Sequence, residues 1–440
     1  MLGCSSESVG DFGAGLQSPA ERRSDLRLAV VSPFIDRHHG TESCVSQQLE
    51  RLASQYGWEI HLYSQRVDQI QALASSNTPP PNTIGRIIWH RVSDISGPHL
   101  LKYMWWFVAN HLRRWRDRRL GRTKIDLTYS PGINCLDADA IVVHIVFYEF
   151  FSRVRSELHL HGLPWKSWFT VLHRKLYYKL AMLLERKIYR DPRVRLVAVS
   201  HLVAQHLKTH FDRTDVQVIP NAVDTMRFTP EARLARRSST RQFFRYSDDD
   251  FVLLIIGNDW KIKGLDFLLR ALSHLCDLPL RLIVVGSDDP RLYQTQLIDR
   301  VLVDRVRFEA PSPDVLSFYS AADLYVGPSL QDAFGLPIVE AMACGLPVIA
   351  SIHAGASGFI RNGETGLLLS NPRDPSEIAS LVQRLFADAS LRMKMGFAAS
   401  HYVQANCGWD QNALRTRDFL EATFLDKDSP RHRQLTSKGG

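Results

Sequence analysis

The sequence feature that most constrains the fold is a regular alternation of short β-branched runs with longer stretches of helical periodicity. This alternation is typical of βαβ units, in which helices cover both faces of a parallel sheet. The first series of runs lies at residues 26–33, 58–63, 86–92, 124–130, 140–146, 195–200 and 216–221, and the second at residues 251–257, 280–287, 306–310, 324–329, 347–351 and 365–369. The sequence therefore predicts an α/β protein with two Rossmann-like, doubly wound domains that face each other across a cleft.

The length of 440 residues also favours two domains, because it exceeds what one hydrophobic core usually serves. We place the first domain at residues 25–222 and the second at residues 223–425. Residues 224–250 contain no apolar run and are predicted to connect the domains and lead into the second sheet. The polar segments 1–24 and 426–440 are predicted to be mobile tails.

Several other protein classes do not fit the sequence. The longest apolar runs, such as Phe251–Gly257 and Met104–Ala109, are far shorter than the roughly 18 residues that a membrane-spanning helix needs. The N-terminal residues lack the basic and apolar segments of a secretory signal, so we expect a cytoplasmic protein. No C-x-x-C pair occurs, and buried free thiols are expected at Cys4, Cys44, Cys135, Cys276, Cys344 and Cys407.

Positive charge is concentrated in one region. Residues 101–195 contain 19 Lys and Arg against 8 Asp and Glu, although the whole chain has a net charge of only +8. Aromatic and basic residues alternate within segments 101–122 and 165–180. These segments could lie on an anionic membrane without crossing it, bind nucleic acid, or form ordinary helices with a charged outer face. We favour peripheral contact with the inner face of the cytoplasmic membrane, keep ordinary helices as the alternative, and expect no nucleic-acid partner.

The most informative segment is PSLQDAFGLPIVEAMACGLPVIAS at residues 328–351. Its pattern predicts a strand, a loop, and a helix that starts near Pro337 and stops at Gly345. The backbone N–H groups at such a helix start favour anions and hydroxyls, and they belong to Phe334, Gly335 and Leu336. Asp332 and Glu340 lie on either side of the helix start, where two carboxylates can contact separate parts of one polyol ligand.

At these residues the chain resembles the retaining nucleotide-sugar glycosyltransferases of GT-B fold that are called family 4 or glycosyl transferases group 1. The resemblance rests on the acidic pair Asp332-x7-Glu340 and on the segments VIPNAVDTMRFTP, LVAVSHLVAQHLKTHF, IIGNDWKIKGLDFLLRAL and LIVVGSDDP. The residue patterns of the last two segments look most like those of lipopolysaccharide-core glucosyltransferases.

The resemblance implies roles for residues of the second domain. Lys263 would hold the donor diphosphate, with Lys261 and Asn258 beside it. Glu340 would bind the ribose hydroxyls, and Asp332, where relatives commonly have glutamate, would contact the transferred sugar. The donor site would be completed by Phe334, Gly335 and Leu336.

In the first domain the resemblance places Gly40 in a loop that approaches phosphate, where His39 replaces a glycine. His144 would lie near the donor sugar, and it joins Asp332, Glu340 and Lys263 among the predicted catalytic residues. Asp137 and Asp139 form a D-x-D pair, a pattern that binds Mn²⁺ in another glycosyltransferase architecture. We interpret the pair as capping residues, because no third ligand is evident, and we expect neither a metal nor another cofactor.

The implied reaction moves a hexosyl unit from a nucleotide-diphosphate sugar, with UDP favoured, to a glycan or glycolipid acceptor with retention. Cell-surface polysaccharide or lipopolysaccharide biosynthesis is the expected setting. No carboxylate nucleophile can be named, so a front-face reaction is preferred over a covalent intermediate. Two alternatives stay open: a nucleotide-sugar epimerase, and a silent sugar-nucleotide-binding subunit of a glycan-assembly complex.

Overall fold

The computed structural model describes residues 26–36, 40–68, 70, 85–154, 165–294 and 300–427, with the backbone alone at residues 153–154, 165–171 and 300–301. The predicted tail at residues 1–24, most of the second tail, His39 and Cys4 lie outside the described residues.

The first domain is built on a parallel sheet. Its strands are β1 Arg27–Val31, β2 Phe34–Ile35, β3 Glu59–Ser64, β4 Arg66–Val67, β5 Arg86–Arg91, β6 Leu127–Pro131, β7 Ala140–Val143, β8 Arg195–Ala198 and β9 Gln217–Val218. Its helices are α1 Gly40–Tyr56, α2 His99–Arg119, α3 Phe147–Val154, α4 Trp165–Tyr189 and α5 His201–Phe211. Seven strands pair in the order β5-β3-β1-β6-β7-β8-β9, and β2 pairs with β4. All seven strand runs predicted for this domain fall on the seven-stranded sheet.

The second domain repeats this architecture. Its strands are β10 Phe251–Ile256, β11 Leu280–Val285, β12 Val306–Glu309, β13 Leu324–Gly327, β14 Val348–Ser351 and β15 Leu367–Leu369. Its helices are α6 Pro230–Phe244, α7 Leu265–Ser273, α8 Arg291–Gln294, α9 Arg300–Val303, α10 Leu316–Ala321, α11 Leu336–Ala343, α12 Pro375–Ala387 and α13 Ala389–Asn406. The last described helix is α14 Trp409–Lys427. The six strands pair in parallel in the order β12-β11-β10-β13-β14-β15, which confirms the second predicted series.

The strand β10, in the middle of the second sheet, is apolar throughout because both of its faces are buried. In β10, Leu253 and Ile255 pack into one hydrophobic cluster, while Val252 and Leu254 pack into another. The second of these clusters continues into the first domain. Alternate side chains of one strand thus serve opposite faces of the sheet, as the period of two requires.

The right-handed connections of parallel sheets determine which face each helix covers. The chain crosses the first sheet in the same direction from β5 to β6 and from β7 to β8. The helices α2 and α4 therefore cover the same face, where they contact each other. Because α1 connects β1 to β3 in the opposite direction, it covers the other face.

The segment predicted as a plain connection, residues 224–250, contains the 15-residue helix α6, so that interpretation was incomplete. The Thr229 side chain caps the helix by accepting from the Ala232 amide, at 3.1 Å. Arg237 and Arg241 both form ion pairs with Asp323, at 2.6 and 3.2 Å. These arginines fix the helix to its own domain, although the sequence has no apolar run there.

The chain returns to the first domain at its end, because α14 packs against α1. The buried Gln48 side chain donates to Asn412 of α14 at 2.9 Å, and Asn412 donates to the Pro220 carbonyl at 2.6 Å. The last two helical residues, Asp426 and Lys427, belong to the predicted second tail but form ion pairs with Arg195 and Asp139. These two residues of the predicted tail are therefore helical and attached to the first domain.

The five described cysteines are free, as predicted, but they are not all buried. Cys44, Cys135, Cys344 and Cys407 are buried, whereas Cys276 is exposed. The difference arises because Cys276 lies in the turns after α7, outside the packed layers.

Gly264 provides a test of the close approach between two loops of the second sheet. Its φ is +79°, and a Cβ at this position would lie 2.1 Å from the Pro328 carbonyl oxygen. Backbone strain and a backbone clash both oppose a side chain there. We expect Gly264→Ala to lower the free energy of unfolding, measured by urea denaturation, by more than about 3 kcal/mol.

Gly363 is the matched control, because its φ is +86° but a Cβ there would meet nothing within 4 Å. Gly363→Ala should therefore lose only the backbone contribution, about 1 kcal/mol. Equal losses in the two variants would contradict the close contact at Gly264.

Candidate active site

A cavity of about 450 Å³ lies between the two domains, at the carboxyl ends of their strands. The residues that directly follow four strands line it: His144 after β7, Val199 after β8, Gly257 after β10 and Gly286 after β11. Ligands of open parallel sheets bind at this edge. The cleft expected from the strand pattern is therefore present.

The start of α11 forms one wall of the cavity. Gly335 precedes the helix with a φ of +90°, and its carbonyl accepts from the Ile338 amide at 3.0 Å. The amides of Gly335 and Leu336 make no hydrogen bond within the described part of the chain, and both residues line the cavity. The Phe334 N–H, predicted to favour anions together with these two amides, donates to Asp332 Oδ1 at 3.3 Å as the loop turns back.

Lys263 and Asp332 form an ion pair inside the cavity. Lys263 Nζ lies 2.5 Å from Asp332 Oδ2, and the two side chains are only 20% and 15% exposed. Gly257 leaves room for the lysine, because a Cβ there would lie 2.7 Å from Lys263 Cε. The residues assigned by resemblance to diphosphate and sugar thus neutralise each other here.

Glu340 extends into the cavity from α11. Its Oε2 accepts a hydrogen bond from the Tyr319 hydroxyl at 2.6 Å. Burial raises the pKa of Glu340 above its ordinary value, while the Tyr319 hydrogen bond and the charge of Arg227 act in the opposite direction. Tyr319 orients the carboxylate, and no sequence motif pointed to it.

The first domain brings a helix start and a histidine to the same cavity. A Cβ at Gly40, the first residue of α1, would lie 3.6 Å from Leu336 Cδ1, so the starts of α1 and α11 face each other. His144 Nε2 is buried without a hydrogen-bond partner among the described residues. Burial lowers the pKa of His144 from 6.5 to about 4, so the ring is neutral at pH 7.

Some residues of the loop after β10 line the cavity, and others contact the first domain. Asn258 lines the cavity, and its Oδ1 accepts from the Ser287 amide at 3.0 Å. Lys261 is exposed and lies outside the cavity lining. Ile262 packs into an aromatic cluster of the first domain that includes Tyr178 and Phe147. This domain contact was missed, because one isoleucine between two lysines carries no recognisable signal.

A second domain contact lies beside the α11 loop. Ser200, the capping residue of α5, donates to the Ala333 carbonyl at 2.9 Å. Gly355 allows this approach, because a Cβ there would lie 2.1 Å from the Ala333 carbonyl oxygen and 2.6 Å from Ser200 Oγ. The loop that carries Asp332 is therefore held directly by the first domain.

The D-x-D pair is bound within the first domain. Asp137 accepts two hydrogen bonds from Arg114, at 2.7 and 2.8 Å, and Asp139 accepts from the Thr128 amide at 2.8 Å. Although burial alone would raise it, hydrogen bonds from His111 and Arg114 hold the pKa of Asp137 well below its usual range. Across the described residues, no group of three or more His, Cys, Asp or Glu could hold a metal ion.

Two family models match the chain. The model for Glycosyltransferase Family 4 matches residues 38–227, and the model for Glycosyl transferases group 1 matches residues 237–401.

Curated relatives include D-inositol 3-phosphate glycosyltransferases. The protein from Pseudarthrobacter chlorophenolicus is 32% identical over 243 residues, which is 53% of this chain and 56% of the relative. The protein from Corynebacterium jeikeium is 34% identical over 236 residues, which is 50% of this chain and 55% of the relative. The chain thus spans about half the length of the curated relatives that it matches.

Solved structures share the fold over most of both chains. The lipopolysaccharide-biosynthesis glycosyltransferase WaaG has a TM-score of 0.68 at 19% identity, covering 89% of this chain and 98% of its own. Sucrose-phosphate synthase from Thermosynechococcus elongatus has a TM-score of 0.70 at 21% identity, covering 91% and 100%. Anabaena HepE, solved with UDP and glucose, has a TM-score of 0.64 at 18% identity, covering 90% and 100%.

The two parallel-sheet domains, with the cavity between them, define a GT-B protein. The chain belongs to the group 1 glycosyltransferases.

The buried neutral His144 gives a pH prediction. Between pH 6.5 and about 4 the unfolded chain binds a proton at this histidine that the folded chain does not bind. The free energy of unfolding should therefore fall as the pH falls through this window, by up to about 1.4 kcal/mol per pH unit from this residue. Urea denaturation across the window should give a shallower dependence for His144→Gln than for the wild type.

The exposed His201 supplies the control. His201→Gln should keep the pH dependence of the wild type. A His144→Gln profile parallel to that of the wild type would contradict the buried neutral ring.

Proposed function

We propose that this protein transfers a hexosyl unit from a nucleotide-diphosphate sugar, with a UDP-sugar favoured, to a glycan or glycolipid acceptor with retention. The observation that carries the proposal is the convergence of Lys263, Glu340 and the starts of α1 and α11 on one cavity. Helix N-termini and a lysine attract a diphosphate, and a carboxylate suits a vicinal diol. The combination fits a nucleoside diphosphate better than a neutral ligand.

Donor binding would exchange the partner of Lys263. In this structure the charge of Lys263 is neutralised by Asp332. A diphosphate beside Lys263 Nζ would take over this role and release the Asp332 carboxylate for hydroxyls of the sugar. Glu340, held by Tyr319, would bind the ribose.

The reaction would follow a front-face course. The bond between the anomeric carbon and the phosphate oxygen breaks, and the acceptor oxygen forms its bond on the same face of that carbon. The acceptor's proton passes to the departing phosphate oxygen, whose charge Lys263 and the amides of Gly335 and Leu336 would stabilise. The neutral His144 ring would offer Nε2 to a sugar hydroxyl. Closure of the domains at Ile262 and Ser200 would exclude water.

The acceptor is proposed to be a surface glycan or glycolipid. The curated relatives, which are named for an inositol phosphate acceptor, add a polyol phosphate to the acceptors that should be tried. UDP is the first nucleotide to test, because HepE, which has the same fold, was crystallised with UDP and glucose.

Calorimetry on paired lysine variants tests the donor site. Lys263→Ala should weaken UDP binding by about tenfold or more, because it removes a charged partner and leaves the Asp332 carboxylate facing the phosphates. Lys261→Ala should bind UDP like the wild type, since Lys261 lies outside the cavity lining. Equal losses in both variants, or none in either, would contradict this assignment. If the wild type binds GDP or ADP instead of UDP, the donor-site assignment holds and only the proposed nucleotide base is wrong.

Asp332→Asn tests the exchange of partners. The amide cannot compete with a diphosphate for Lys263, so UDP should bind several-fold more tightly, while sugar transfer should fall by about tenfold or more. Weaker UDP binding in this variant would contradict the exchange.

Product analysis separates the alternatives. Transfer to an acceptor, with the anomeric configuration read by NMR, should give the same configuration as the donor, and Glu340→Gln should weaken donor binding. Release of an epimer without any acceptor would identify an epimerase. Binding of a nucleotide sugar without turnover on any acceptor tried would favour a silent subunit.

A further inference from the structure

The helix α2 has an apolar face on each side. Its inner face packs on the sheet and includes the buried Trp106 and Ala109. Its outer face carries five large apolar side chains that are each at least half exposed: Leu101 53%, Met104 50%, Val108 53%, Leu112 57% and Trp115 54%. The spacing of three and four residues places all five on one stripe of the helix. A stripe of this kind, facing away from the core, marks an interaction surface.

Positive charge surrounds the stripe. The exposed basic residues of α2 and the turn after it are Lys102, Arg116, Arg118, Arg119 and Arg122. No ion pair involves these five within the described part of the chain, and the only acidic residue of α2, Asp117, is fully buried. Arg113 and Arg114 do not belong to this set, because they form ion pairs with Asp117 and Asp137. The outer face of α2 therefore carries positive charge only.

The neighbouring helix α4 extends the surface. The rings of Tyr103 and Tyr177 meet at 5.6 Å, and the Leu100 amide donates to His173 at 3.1 Å. Among the described side chains of α4, which begin at residue 172, the large exposed apolar residues are Leu172, Leu176 and Leu183, and the exposed basic residues include Lys179 and Arg186. Its acidic residue, Glu185, is buried. We call the exposed residues of both helices the α2–α4 face.

The two stripes lie on the same side of the helix pair. Both helices cover the same face of the sheet and run against its strands, so they run in the same direction. Met104 follows the contact residue Tyr103, whereas Leu172 and Leu176 precede the contact residues His173 and Tyr177. On two parallel helices, a side chain one position after the contact on one helix and a side chain one position before the contact on the other project to the same side of the pair. Both stripes therefore face the same side.

We propose that the α2–α4 face binds the surface of an anionic lipid bilayer, with both helices lying in the plane of the interface. Apolar stripes flanked by arginines are the composition that enters the headgroup region. No described helix is long and apolar enough to span the bilayer, so the helices would rest on the membrane. The inference goes beyond sugar transfer, because lipid binding needs no nucleotide sugar.

The direction of the aromatic rings favours lipid over nucleic acid. Base stacking needs exposed rings. Trp106 is buried, the Trp105 indole donates to the Ser93 carbonyl, and Tyr103 donates to the Ile133 carbonyl, so Trp115 is the only aromatic residue among the five members of the α2 stripe. The other four are aliphatic or Met, which suit acyl chains.

The charge also argues against a second copy of this chain as the occupant. A symmetric dimer would place the same face of each copy together. Two faces that carry only positive charge would repel each other. An anionic bilayer supplies the opposite sign across the whole face.

Vesicle flotation of the full chain tests the proposal. The wild type should float with phosphatidylcholine vesicles that contain phosphatidylglycerol, and float less with phosphatidylcholine alone. The variant combining Trp115→Ser, Arg116→Gln and Arg119→Gln removes one exposed ring and two exposed charges. Its partition onto the anionic vesicles should fall by about tenfold or more. Its unfolding midpoint and UDP affinity should match those of the wild type, which separates a failed membrane site from a failed donor site.

The matched control removes the same chemistry from the second domain. Phe397 is 75% exposed on α13, and Lys394 and Arg384 are exposed nearby in sequence. Combining Phe397→Ser, Lys394→Gln and Arg384→Gln should leave the partition of the wild type unchanged.

Three results would overturn the proposal. One is equal flotation of the wild type and the Trp115 variant, or no flotation of the wild type. Another is a dimer, seen by light scattering, that the Trp115 variant abolishes while no vesicle binding occurs. The third is binding of a single-stranded RNA that the same variant abolishes, again without vesicle binding.

Discussion

Parallel pairing sends every loop that leaves the carboxyl end of a strand to one edge of its sheet, and two such edges meet in this molecule. The cavity residues His144, Gly257 and Gly286 occupy the first position after their strands. Their meeting depends on both sheets keeping their register and on the contacts that hold the sheets edge to edge. Ile262 and Ser200 supply two of these contacts, one apolar and one a hydrogen bond.

The electrostatics of the cavity follow from the same arrangement. The starts of α1 and α11 and the Lys263 ammonium group bring positive potential into a largely buried space. A lysine with little access to water needs an opposite charge, and Asp332 supplies it. The charge of Lys263 is therefore balanced within the site. The exchange proposed above, in which a donor phosphate replaces Asp332 as the partner of Lys263, would preserve this balance.

Much of the fold could be predicted because it depends on periodicity. Both predicted series of strands coincide with the two sheets. A strand that is buried on both faces is recognisable in the sequence, because it forms a continuous apolar run. The helix α6 could not be predicted this way, because its attachment relies on Arg237 and Arg241 reaching Asp323, 86 and 82 residues further along the chain. The return of α14 to α1 depends likewise on contacts between distant segments.

The site residues were predictable as a set, but their contacts were not. Motif spacing identified Lys263, Asp332 and Glu340, yet it gave no indication that the first two are paired or that Tyr319 holds the third. On α2 the sequence placed aromatic and basic residues together without indicating their direction. Only the packing on the sheet determines that Trp106 points inward while Trp115 points outward. The same packing pairs Arg113 and Arg114 with carboxylates and leaves Arg116 and Arg119 at the surface.

The return of α14 makes the first domain discontinuous in sequence, and this has a consequence for how the chain is made. During synthesis, the surface of α1 that α14 covers stays unprotected while residues 223–408 emerge. The partners of Gln48 and Arg51 on α14, Asn412 and Asp410, arrive only with the last helix. The second domain, whose own strands run without interruption from Phe251 to Leu369, can complete its sheet first. The first domain can thus be completed only after all the strands of the second have been synthesised.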